Sequence, residues 1–194
     1  MGATFVVLLT WIGGLGFPNY SHLSQFISEL GASGAPHEFW VRFAGFLPAG
    51  LLLWIFVWSA FKTLPRSKLS SFGLLGIAAY AAGYVVAAFF PCDFGCRPQN
   101  PSRAQIIHNL VGLVGYLLAP LAIAALASAA RNWPGAHRLP VLGSLAAALS
   151  LAGLLTLSPG SPLVGLSQRV IEASVLLWVL ACALYVHRRS SGAA

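Results

Sequence analysis

Apolar positions in this chain come in long unbroken runs. Stretches free of charged residues cover 1–28, 43–61, 69–92, 104–130 and 139–168, with a shorter one at 173–187. A helix needs about 20 mostly apolar residues to cross the hydrocarbon core of a bilayer. The runs therefore predict spans near 2–17, 38–61, 71–90, 104–130, 139–158 and 167–187. Pro18 closes the first, which is read as a retained span because a basic leader and a small-residue cleavage site are missing. Pro48 and Pro120 lie inside the second and fourth, and each predicts a kink. The predicted fold class is all-α: a polytopic membrane protein of six transmembrane helices, one domain over 1–194.

Between the first two spans the pattern changes. In YSHLSQFISELG, residues 20–31, a helical projection gathers Ser21, His22, Ser24, Gln25, Ser28 and Glu29 on one arc of about 160°. Leu23, Phe26, Ile27 and Leu30 take the opposite arc. This predicts a short amphipathic helix on the outer side. Its polar face either meets water, as in an interfacial anchor, or turns inward over a pocket.

Composition fixes the compartment. Hydrophobic residues make up 58% of the chain and charged residues 8%, against about 25% charged in a soluble domain. That excludes a soluble enzyme and a disordered tail. The net charge of +7 does not indicate nucleic acid, because the basic residues stand singly between the spans. They set topology instead. With the N-terminus inside, Lys62, Arg66, Lys68, Arg131, Arg138, Arg188 and Arg189 are cytoplasmic. Arg42, Arg97, Arg103 and Arg169 are external, together with all four acids, Glu29, Glu38, Asp93 and Glu172. Both termini are expected in the cytoplasm. Arg outnumbers Lys by 9 to 2, a bias that suggests a GC-rich bacterial source and hence a plasma membrane.

The remaining polar chemistry collects on the outer side. In PCDFGCRPQNPSR, residues 91–103, Cys92 and Cys96 are four apart in an oxidising compartment, where a disulfide is the default. Two metal ligands or two free thiols remain the alternatives. Gln105, His108 and Asn109 share one face at the start of the fourth span. Ser167, Gln168, Arg169 and Glu172 open the sixth, where Arg169 and Glu172 are spaced to pair. Glu38 and Arg42 are spaced likewise. Polar side chains at this depth are functional candidates by default. Known zinc, nucleophile-elbow and phosphate-loop signatures are missing.

The strings PNYSHLSQFISELGA, FPCDFGC (with Ser102, His108 and Asn109 after it) and GLSQRVIEASVLLWV resemble the motifs of a prokaryotic membrane family catalogued as domain of unknown function 998. The resemblance covers about residues 3–187. It implies a six-helix membrane bundle and no particular reaction.

These residues set two functional expectations. The first is a polar pocket at the outer leaflet that binds or processes a lipid-like amphiphile. Glu29, Asp93 and His108 would be its catalytic groups, working by acid–base or metal-assisted chemistry. His22, Ser28, Gln105, Asn109, Gln168 and Arg169 would contact the ligand, and Glu29 would lean on His108. The second is a non-catalytic accessory subunit that packs against other membrane proteins. The sequence specifies neither cofactor nor metal.

Overall fold

The structure is a computed structural model and describes residues 10–192. Most of the first expected span lies outside the described residues; residues 10–15 are helical and run into turns before Pro18. Five helices that are long and apolar enough to cross a membrane follow: α1 (Glu38–Thr63), α2 (Lys68–Phe89), α3 (Arg103–Ala130), α4 (Leu139–Thr156) and α5 (Val164–Ser190). No strand occurs among the described residues. The chain is an all-helical membrane protein.

Local chemistry starts and shapes these helices. Ser67 caps α2 by accepting the Ser70 N–H at 3.0 Å, and Ser102 caps α3 by accepting the Gln105 N–H at 3.1 Å. Each hydroxyl satisfies a backbone donor that the first turn leaves over. In α1 the segment Arg42–Phe46 is a turn of π-helix. It falls directly before Pro48, which has no N–H and crowds the preceding turn. By contrast, α3 remains helical through Pro120.

Consecutive helices pack against one another, and α5 also touches α1 and α3, which closes the bundle. Small residues bring α2 and α3 together. A Cβ on Gly76 would come within 2.6 Å of the Ala122 Cβ, and one on Gly115 within 3.2 Å of the Tyr80 Cα. Such close approach is how helices associate where lipid removes the hydrophobic drive between them. Leu74, Ile77, Ile123, Leu126, Ile171, Val175 and Trp178 fill the centre. Leu110, Leu113, Leu117 and Leu121 stay exposed along one stripe of α3, as a surface solvated by acyl chains requires.

Helices joined head to tail must alternate in direction. The start of α1, the ends of α2 and α4 and the starts of α3 and α5 therefore share one end of the bundle with the 91–102 loop. The candidate site lies at that end.

Candidate functional site

Residues 20–31 do not form the expected amphipathic helix. They form turns followed by a 3₁₀ helix at Ile27–Gly31. Polar side chains here bind backbone groups that an α-helix needs. Gln25 Oε1 accepts the Ser21 N–H at 2.7 Å, and Glu29 Oε1 accepts the Phe26 N–H at 3.0 Å. Two further backbone groups go to α5. Leu23 O accepts the Leu166 N–H at 3.0 Å, and the Ile27 N–H donates to Gln168 Oε1 at 2.6 Å. Side-chain acceptors that take up backbone N–H groups in this way offer the chain an alternative to the helix. The segment is thereby tied to the first turns of α5. Gly165 permits the contact, since a Cβ there would collide with the Gln25 and His22 carbonyl oxygens.

Arg169 secures the same contact. Its guanidinium donates to Gln25 O at 3.0 Å, Gly165 O at 2.9 Å and Tyr20 Oη at 2.7 Å, and lies 3.0 Å from His22 Nδ1. Desolvation raises the Tyr20 phenol above its usual pKa. Desolvation, together with the Arg169 charge, lowers His22 below its usual pKa. The expected pairing of Arg169 with Glu172 is not formed. The first turn of α5 leans on residues 20–25, and that draws Arg169 away from the bundle centre.

In the 91–102 loop Cys92 and Cys96 are joined by a disulfide. Gly95 makes the tight reversal between them at φ 75°, where a side chain would be strained. Asp93 accepts the Ser102 N–H at 2.9 Å, while its own N–H donates to Gln105 Oε1 at 2.8 Å. Gln105 in turn donates to Asn109 Oδ1 at 2.8 Å. Asp93 and Gln105 thus hold the loop on the start of α3. Arg97 reaches across the bundle end to Pro159 O at 2.7 Å and Ser24 O at 2.9 Å.

Glu29 is buried and takes Arg97 as its ionic partner at 3.6 Å, with Gln25 Nε2 donating to it at 2.9 Å. The expected partner, His108, instead places Nδ1 3.1 Å from Phe90 O. Arg97 reaches Glu29 from the adjacent loop, whereas His108 turns to the Phe90 carbonyl at the end of α2. Glu38 does meet Arg42, at 3.9 Å.

Behind this cap lies a cavity of about 400 Å³. Of the polar residues and cysteines singled out from sequence, Ser28, Cys96, His108, Asn109, Gln168 and Glu172 line it. Glu29, Asp93, His22, Gln105, Arg169 and Cys92 lie in its surroundings and are not among its lining. The three expected catalytic groups therefore do not converge: His108 reaches the cavity, and Glu29 and Asp93 are engaged elsewhere.

The centre of the cavity is Glu172, a buried acid on α5. Tyr80 and Tyr84 of α2 both donate their hydroxyls to Glu172 Oε2. Tyr116 of α3 donates to Oε1 at 2.7 Å. Gln168 Nε2 donates to the Tyr116 oxygen at 2.7 Å. One chain of hydrogen bonds thus runs from the Ile27 N–H through Gln168 and Tyr116 to the carboxylate. A buried carboxylate is tolerable only when its lone pairs are filled in this way. Sequence reasoning assigned Glu172 to Arg169 and missed the tyrosines. The available signal was that Tyr80 and Tyr84 stand one turn apart in a span otherwise built of small and apolar residues.

The walls are apolar: Phe26, Ile27, Phe46, Ala87, Leu113 and Leu157. The exposed members of the lining are Asn109 and Leu113 on α3 and Pro159 just past α4. They put the mouth between α3 and the α4–α5 turn, beside the lipid-facing stripe of α3. Among the described residues no group of three or more His, Cys, Asp or Glu side chains is placed to hold a metal ion.

Residues 1–185 match the family described as Protein of unknown function (DUF998), and the chain belongs to that family. No curated protein and no solved structure matches it.

Proposed function

We propose that this member of the family is a multi-pass protein of a prokaryotic plasma membrane that binds a lipid-like amphiphile in the Glu172 cavity, entered sideways from the bilayer. The observation that carries the reading is one cavity with a polar centre, apolar walls and a mouth bordered by lipid-facing residues. Ligand sites combine these features: apolar lining for area, a few placed polar groups for orientation. Binding is favoured over acid–base processing because Glu29 and Asp93 are committed to structural partners. Native mass spectrometry of protein purified in mild detergent tests this. The folded protein should retain an adduct of amphiphile mass that is released on denaturation. Protein that is bare before any collisional activation would remove the proposal.

In the same proposal residues 2–17 supply a sixth span, and both termini are cytoplasmic. The basic residues of the α1–α2 and α3–α4 connections and of the end of α5 support this orientation. Reporter fusions after Arg66 and after Arg138 should both read cytoplasm, and an external signal at either position would reverse the topology.

A further inference from the structure

The charge balance of the cavity identifies the kind of head group it takes. Glu172 makes no ion pair among the described residues. Three of the four arginines at this end of the bundle are held elsewhere, and the fourth, Arg103, is exposed at the start of α3 and outside the cavity's lining. Arg169 is bound to Gln25, Gly165, Tyr20 and His22. Arg97 is bound to Glu29, Pro159 and Ser24. Arg42 donates to Ala88 O at 2.8 Å and faces Glu38. No Lys or Arg is among the cavity's described lining. Apart from its tyrosines, the titratable groups there are Glu172 and His108.

The three phenols donate to the carboxylate oxygens and bring no positive charge with them. Their rings and that of Phe46 line the wall, while the Phe26 ring is already met by the Arg97 guanidinium at 5.2 Å. Tyr80 and Tyr84 meet edge to face at 5.7 Å between centroids, and Phe46 and Tyr84 at 6.2 Å. A carboxylate set among aromatic rings favours a cation, through charge and through the negative faces of the rings. It disfavours an anionic phosphate or carboxylate head, which would be placed beside Glu172 with no Lys or Arg among the cavity's described lining.

We infer that the ligand carries an ammonium head, primary or quaternary, that sits at Glu172 among Tyr80, Tyr84 and Tyr116, with its tail toward Leu113 and Leu157. This inference rests on the amphiphile-binding proposal and adds the class of the head group.

Titration calorimetry in maltoside micelles tests it with four probes of equal tail: octylamine, octyltrimethylammonium, octanol and octanoate. The two ammonium probes should bind about tenfold or more tighter than octanol, and octanoate weakest. Glu172→Gln should remove the preference of the ammonium probes over octanol, with circular dichroism confirming that the variant is folded. The comparison of probes on the unaltered protein stands even if that variant fails to fold. If octanol or octanoate binds as tightly as octylamine, or if folded Glu172→Gln keeps the preference, the ammonium assignment is overturned while the amphiphile cavity stands. If no probe binds, both fall.

Discussion

Glu172→Ala should be among the most destabilising single substitutions in the bundle, lowering unfolding free energy by about 2–4 kcal/mol. The substitution strands the hydroxyls of Tyr80, Tyr84 and Tyr116, which all donate to this carboxylate. Tyr80 is 3% exposed and Tyr84 8%, so neither hydroxyl has ready access to water. A buried donor left without its acceptor costs about 1–3 kcal/mol. One effect offsets part of the loss: the desolvation cost of the buried carboxyl group disappears with it. Glu172→Gln keeps an acceptor oxygen and should cost about 1 kcal/mol. Glu38→Gln should cost about 0.5 kcal/mol or less, because its pair with Arg42 is partly solvated. Unfolding by sodium dodecyl sulfate titration would rank the three. A Glu172→Ala variant as stable as Glu38→Gln would mean that the phenols do not depend on the carboxylate.

The helices were legible in the sequence because a membrane leaves the backbone little choice. An apolar run of span length must satisfy its own N–H and C=O groups, and an α-helix does so. Ser67 and Ser102 mark their starts in the same readable way. The segment at 20–31 was misread because periodicity counts side chains and ignores what they bind. Gln25 and Glu29 spend their oxygens on local N–H groups, and the backbone turns toward Gln168. Periodicity carries no information about that last bond, which joins residues 141 apart.

The site was half legible for a similar reason. His108, Asn109, Gln168 and Ser28 stand out as polar residues at the ends of apolar runs, and the cavity gathers them. Its centre was hidden. Arg169 and Glu172, three apart on one helix, are natural partners in a one-dimensional view. The fold gives Arg169 to the 20–25 turns and Glu172 to tyrosines on two other helices, 56 to 92 residues away. Tyrosine in a membrane span reads as an ordinary aromatic until a second helix shows where its hydroxyl points. Glu29 and Asp93 stood out for the right chemistry, but each is satisfied by a neighbour that only the loop conformation brings close.

Two glycines allow the cavity to be closed without disturbing the helices. Gly83 on α2 and Gly112 on α3 both line it, and a Cβ at either meets nothing within 4 Å. The rings of Gly83→Phe and Gly112→Phe therefore grow into open space and not into a neighbouring helix. Forcing a ligand against a filled wall costs about 1–3 kcal/mol per site, so the double variant should lose at least about tenfold in affinity. The direct measurement is native mass spectrometry of this double variant beside the unaltered protein, both taken through the same mild purification. The unaltered protein should carry its amphiphile adduct, and the double variant should be bare with its melting temperature preserved. A folded double variant that carries as much amphiphile as the unaltered protein would contradict the assignment of the cavity as the binding site.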